Sequence, residues 1–289
     1  MPPTSVEKLL KSSDGVDIFA RAVGDHGKPS LVFVHGLALS GSVFDDLFKE
    51  DYLLDRFYLV SYDMRGHGRS GKPDAVESYA STLYADDFAA VVRAFGLRAP
   101  VLIGWSLGAT VACDVCANLT PGAISGIVYA SALPYMGPIM NEVGKPLVLS
   151  FLPGLLSTDD VLLSIRTKVA FIDSLFNDPD NVPVGLKWSW LGSSTIQDPL
   201  ACKALLARTQ DPGKLLEAGS KGLPLMMISG TRDTHIRGDV VVRLMEPHFK
   251  DVEVHTIQGG SHTLFYDNKE VFMKAVVDFA TRVTRMATF

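Results

Sequence analysis

One pentapeptide, Gly104-Trp105-Ser106-Leu107-Gly108, constrains the fold of this chain more than any other stretch. The apolar run Pro100-Val101-Leu102-Ile103 before it reads as a buried strand, and Ala109-Thr110-Val111-Ala112-Cys113 after it reads as the start of a helix. G-x-S-x-G in that context describes a sharp, strained turn that lifts the serine hydroxyl clear of a sheet. The glycines are needed because a side chain at either position would collide with the neighbouring helix or strand. A helix starting at the turn aims its first amides at the serine, where negative charge develops during acyl transfer. Glycine and serine are common, so a chance match is the competing reading; the strand before and the helix after argue against it. The pattern occurs once in the sequence.

The rest of the chain supplies strands and helices in alternation. Val6 to Leu10 and Val16 to Val23 read as two strands joined at Ser13-Asp14-Gly15, a hairpin signal. Further strands are expected at Ser30 to His35, Phe57 to Tyr62, Val101 to Trp105, Ile124 to Ala130, Leu225 to Ser229 and Val252 to Ile257. Tyr84, Phe88, Val91, Val92 and Phe95 recur at helical spacing with Gly96 as a stop, and Val271, Phe272, Ala275, Val276, Phe279 and Val283 form a similar stripe. Continuous apolar strands separated by amphipathic helices predict an α/β fold: a mostly parallel, eight-stranded sheet with helices on both faces and an antiparallel edge. With 47% hydrophobic residues, 289 residues suffice for the core of one such domain or of a domain with an insertion.

The alternation breaks between about Leu133 and Gly222. Ser157-Thr158-Asp159-Asp160 reads as a capped start for a helix carrying Val161, Ile165, Val169, Ile172 and Phe176, and Asp198-Pro199-Leu200 opens another. Residues 1–132 and 223–289 are therefore expected to form the core, and 133–222 a helical cap or lid over the carboxyl ends of the strands, where open α/β sheets bind ligands. Trp188, Trp190, Phe171 and Phe176 fall in this insertion. Together with Trp105, the two tryptophans are expected to contact substrate, against the plainer alternative that they pack the cap on the core.

Charge and cysteine content narrow the function classes. The formal net charge is -5, with no Lys/Arg run, which argues against nucleic-acid and anionic-membrane partners. The first residues, Met1-Pro2-Pro3-Thr4-Ser5-Val6-Glu7-Lys8, have no apolar signal core, no stretch is long enough to span a bilayer, and Ala287-Thr288-Phe289 is no lipidation or peroxisomal signal, so a soluble, cytoplasmic protein is expected. Three cysteines make a disulfide framework improbable; Cys113-x-x-Cys116 reads as two small apolar residues on the helix behind Ser106 rather than as a redox pair.

A serine hydroxyl needs a base, and the base an orienting carboxylate. Of seven histidines, His26, His248 and His255 lie in polar surroundings, His35 ends a strand, His67 sits in a tight loop, and His235 follows Asp233 in a loop near the expected site. His262 follows an apolar strand and Gly259-Gly260-Ser261, after the serine in sequence, and is the expected base. Asp233, in Ser229-Gly230-Thr231-Arg232-Asp233 one strand earlier, is the expected carboxylate, ahead of Asp63 and Asp267. The backbone N–H groups of Leu107 and Leu37 are the expected oxyanion donors.

With the His35-Gly36 loop, Tyr62-Asp63-Met64-Arg65-Gly66-His67-Gly68-Arg69-Ser70, the elbow, Gly230 to Asp233 and Gly260-Ser261-His262 in this order, the chain resembles the α/β-hydrolase superfamily, and within it the cofactor-free haloperoxidase-like serine esterases. Ala109 stands where many relatives carry a second glycine, and Thr234-His235-Ile236 where a proline is usual. The resemblance implies a Ser106–His262–Asp233 triad that cleaves an ester, lactone or thioester through an acyl-enzyme, without cofactor, and the apolar content of the insertion suggests a small to medium, mostly uncharged substrate. Carbon–carbon bond hydrolysis, acyl transfer, and a slow-turnover receptor are rival uses of the same triad. A serine nucleophile argues against the epoxide-hydrolase and haloalkane-dehalogenase relatives, which need a carboxylate there. Gly66-His67-Gly68-Arg69-Ser70-Gly71 fits a dinucleotide pattern, but Lys72-Pro73 blocks the helix that such a site requires. No H-E-x-x-H or Cys/His cluster suggests a metal.

Overall fold

The computed structural model describes residues 5–286. Eight strands, β1 (Ser5–Lys11), β2 (Asp17–Val23), β3 (Ser30–Val34), β4 (Tyr58–Tyr62), β5 (Val101–Trp105), β6 (Gly126–Ala130), β7 (Leu225–Gly230) and β8 (Val252–Ile257), form one sheet in the order β1-β2-β4-β3-β5-β6-β7-β8. β2 runs antiparallel to β1 and β4, and all other pairs are parallel. The hairpin closes as its sequence predicts: Gly15 takes φ +83°, and the Ser12 amide donates to the Val16 carbonyl at 2.9 Å. Every residue of β3, β4, β5 and β6 is buried, as continuous apolar strands covered on both faces must be.

The two faces are set by the alternation along β6. Gly126 faces Phe279 and Val283 of the long helix Lys269–Met286; the absent side chain lets that helix lie close. Tyr129, of opposite register, faces the cysteines of helix Thr110–Asn118. Helices Ser81–Ala94 and Gly213–Ser220 flank Thr110–Asn118 on that second face.

Between β6 and β7 the chain forms seven α-helices: Ile139–Val143, Pro146–Ser150, Leu152–Leu155, Val161–Asp173, Val184–Thr195, Pro199–Leu206 and Gly213–Ser220. Asp160 caps the fourth by accepting from the Leu163 amide at 2.8 Å, and Asp198 caps the sixth through the Leu200 amide at 2.7 Å. A buried ion pair ties this segment to the sheet. Arg208 grips both oxygens of Asp114 at 2.7 and 2.8 Å and lies over the Tyr84 ring, while Gln210 donates to the Thr110 carbonyl at 3.0 Å. Helix Thr110–Asn118, which begins one turn after Ser106, is thus fixed from its far side.

Candidate active site

β5 delivers Ser106 into a tight turn with φ +53°, a left-handed conformation that costs a non-glycine residue about 1–3 kcal/mol and persists only where the surroundings impose it. The surroundings here are steric. A Cβ on Gly104 would lie 2.3 Å from Ala109 Cα, and one on Gly108 2.3 Å from the Val34 carbonyl oxygen. Both glycines are therefore compelled by close backbone approach, and Ala109 occupies the space beside Gly104 that a second glycine would leave open. Leu37 and Leu107 line the same cavity as Ser106, and the Leu37 amide donates to no described residue. Buried amides without partners are rare.

Asp233 and His262, on the loops after β7 and β8, come together in the buried layer above the sheet. His262 Nδ1 lies 3.0 Å from each Asp233 carboxylate oxygen. Asp233 Oδ1 also accepts from the amides of His235 at 2.7 Å and Ile236 at 2.9 Å. Burial alone would raise the Asp233 pKa, but the attraction of His262 and these hydrogen bonds outweigh it and hold the carboxyl below its usual range. An ionised carboxylate only accepts, so His262 Nδ1 carries a proton. The His262 carbonyl takes a hydrogen bond from the Trp105 indole at 2.9 Å, which fixes the loop after β8 to the residue preceding Ser106.

A cavity of about 70 Å³ opens beside Ser106, lined by Leu37, Leu107, Leu133, Met140, Val148, Leu149, Leu152, Phe171, Leu206, His235 and Ile236 among others. None of the three tryptophans expected at the substrate lines it. Trp105 packs under His262, ring to ring at 5.3 Å. Trp190 is buried in a stack with Phe176 at 5.0 Å, and Trp188 points outward, 70% exposed. The cavity wall comes instead from Phe171 and from aliphatic side chains of short helices whose sequence carries no distinguishing pattern.

The remaining candidates have structural partners. Asp63 accepts from the amides of Gly41 and Arg69, both at 2.8 Å, and Asp267 from the Asn177 amide at 2.9 Å. His35 donates from Nδ1 to the Gly36 carbonyl at 2.8 Å and accepts from the Met64 amide at 3.0 Å. His67 bridges the Arg65 carbonyl and the Gln197 amide group. The Gly66–Gly71 loop opens no helix. Cys113, Cys116 and Cys202 are free, and burial pushes all three thiols up, Cys116 and Cys202 to about 12. Among the described residues no group of three His, Cys, Asp or Glu is placed to hold a metal ion, and no helix is long and apolar enough to cross a membrane.

Known proteins show the same arrangement of elements. A solved esterase from a Rhodococcus species superposes with a TM-score of 0.84 at 28% identity, covering 96% of this chain and 99% of its own. A non-heme chloroperoxidase of Streptomyces lividans is 35% identical over 145 residues, 48% of this chain and 50% of that one. A bifunctional esterase/perhydrolase of Acinetobacter calcoaceticus is 35% identical over 127 residues, 43% of this chain and 44% of that one. The chain thus spans half the length, or less, of these two curated relatives. The profile of the alpha/beta hydrolase family matches residues 31–275, and the chain belongs to that family.

Proposed function

We propose that the protein hydrolyses a carboxylic ester of a small to medium, mostly apolar substrate through an acyl-enzyme on Ser106. His262 Nε2 takes the hydroxyl proton as Oγ attacks the carbonyl. Asp233 holds the imidazole in the required tautomer and stabilises the imidazolium. The backbone amides of Leu37 and Leu107 receive the oxyanion, and their fixed positions spare the reorganisation that water would need. The proton then passes from His262 to the departing alcohol, and a water activated by the same base releases the acid. The helices between β6 and β7 act as the cap that shapes the acyl cavity.

The observation that carries this reading is the Asp233–His262 pair: an ionised, buried carboxylate that holds the Nδ1 side of an imidazole packed on Trp105, the residue before Ser106. The esterase names of the Rhodococcus and Acinetobacter proteins support the same chemistry. The test is intact mass after treatment with a small fluorophosphonate. One adduct on the wild type and none on Ser106→Ala is the expected result. An unmodified wild type, or equal labelling of both, would refute an activated Ser106.

A further inference from the structure

His235 is a buried imidazole that the triad does not use. Its ring lies against that of His262 at 4.4 Å and 33°, with Phe171 at 5.2 Å on another side, and it lines the cavity beside Ser106. Its Nε2 is 2.8 Å from Ser174 Oγ. The Ser174 hydroxyl gives its single proton to the Phe171 carbonyl at 2.7 Å, so Oγ can only accept from His235. The hydrogen-bond network therefore assigns the proton to Nε2 and leaves Nδ1 as a bare acceptor. No described residue donates to Nδ1. Burial, then repulsion from His262, holds the ring's pKa well below the usual histidine range, so it stays neutral. Apart from Ser106, the other side chains around the cavity are apolar.

We infer that His235 is a specificity-determining residue whose Nδ1 accepts a hydrogen bond from a hydroxyl on the substrate's acyl chain, an inference that rests on the esterase reading above. The acyl group stays on Ser106 after the alcohol leaves, so the apolar cavity beside the serine suits the acyl chain. A cavity of about 150 Å³ takes benzene, and one of about 70 Å³ suits a tail of roughly three carbons. Ser106 and His235 line the same cavity, so a hydroxyl on a short acyl chain held by Ser106 comes beside the His235 ring. A neutral acceptor favours a donor and offers nothing to a carboxylate.

The test compares ethyl butyrate with the two enantiomers of ethyl 3-hydroxybutyrate. In the wild type kcat/KM should favour one hydroxy ester by about tenfold, the usual scale for one well-placed neutral hydrogen bond. In His235→Leu that ratio should fall to about one or below. Ser174→Ala, which frees the tautomer, should reduce it. A second readout needs no turnover: Ser106→Ala should bind 3-hydroxybutyrate more tightly than butyrate by a similar factor, and the added His235→Leu should remove the difference. A wild-type ratio near one, or a preference that survives His235→Leu, would overturn the inference. If Ser106 is labelled by the fluorophosphonate and the ratio is still near one, only the role of His235 falls; absent labelling removes the hydrolase reading itself.

Discussion

Asp233→Asn separates the orienting role of the carboxylate from its place in the fold. In the native loop Oδ1 accepts from the His235 and Ile236 amides at 2.7 and 2.9 Å, and both oxygens face His262 Nδ1 at 3.0 Å. Asparagine is nearly isosteric but carries one acceptor and one donor. The two backbone amides demand the acceptor, so the NH₂ group must turn toward His262. It can do so only against a bare Nδ1, which moves the imidazole proton to Nε2 and leaves no lone pair for Ser106. The fold retains its loop hydrogen bonds, and the stability cost should stay within about 2 kcal/mol. The catalytic cost should approach the ~10⁴-fold loss in kcat that a wrong tautomer causes in a serine-protease triad. Initial rates on a short-chain p-nitrophenyl ester, with circular-dichroism melts of both proteins, measure the two costs separately. A well-folded variant keeping more than about a tenth of wild-type kcat would refute the tautomer argument.

Other perturbations probe the packing and ionisation that support the site. Gly108→Ala places a methyl group 2.3 Å from the Val34 carbonyl oxygen, where only backbone can yield; it should cost about 1–3 kcal/mol or more and lower the Tm by several degrees, and an unchanged melt would show that the turn is not sterically compelled. Arg208→Met leaves Asp114 a buried carboxylate without its cation, which should cost about 3–5 kcal/mol in urea unfolding. Arg208→Met with Asp114→Leu should recover most of that loss, and a double variant no better than the single one would contradict the account. His35, His67 and His235 all have folded pKa values lowered by burial, so the folded state binds fewer protons than the unfolded one. Stability is therefore fully present above about pH 6.5, the unfolded value, and is lost as pH falls toward each folded value, at up to about 1.4 kcal/mol per pH unit for each histidine. Urea midpoints that stay constant from pH 7 to pH 5 would show that these rings are not held neutral.

Much of this architecture was legible because its determinants are local. The elbow is a five-residue pattern, and the strand–helix alternation that gives the sheet is written in continuous apolar runs separated by stripes of period 3.6. Asp233 and His262 could be read because each follows an apolar strand, so topology alone carries them to one edge. Strand ends were less legible: β6 begins at Gly126 rather than Ile124, and β4 at Tyr58 rather than Phe57, since a terminal residue is placed by its partner strand. The tryptophans stand apart from the cavity for a related reason. Aromatic size marks a residue for burial, but not for burial against a ligand, and Trp190 satisfies that tendency by stacking on Phe176. The cavity wall was illegible because Met140, Val148, Leu149 and Leu152 come from helices of four or five residues, too short to show a period.

The separation of Asp233 from His262 is set twice over. Within the sheet, β7 and β8 pair in parallel register, and Gly230, the last residue of β7, approaches Gly260 after β8 so closely that a Cβ on Gly230 would lie 2.1 Å from the Gly260 carbonyl oxygen. Above the sheet, three residues of the inserted segment, Ser174, Leu175 and Asn177, hold both loops. Thr234 Oγ1 donates to the Ser174 carbonyl at 2.7 Å and His235 to its hydroxyl. Thr263 Oγ1 donates to the Leu175 carbonyl at 2.9 Å, and Asn177 bonds to Asp267 and to the Gly259 carbonyl. Phe176, between them, stacks on Trp190. The same segment starts at Phe171, which lines the cavity. A side-chain change that moves Phe171 to admit a different acyl group therefore also pulls on Ser174 and Leu175, and through them on the loops carrying the carboxylate and the base. Under the proposed mechanism selectivity and base geometry share one set of hydrogen bonds, so variants selected for a larger acyl chain by substitution at Phe171 should lose kcat as well as change KM. Substitutions at Met140 or Leu206, which line the cavity outside this strap, should alter KM with kcat largely retained.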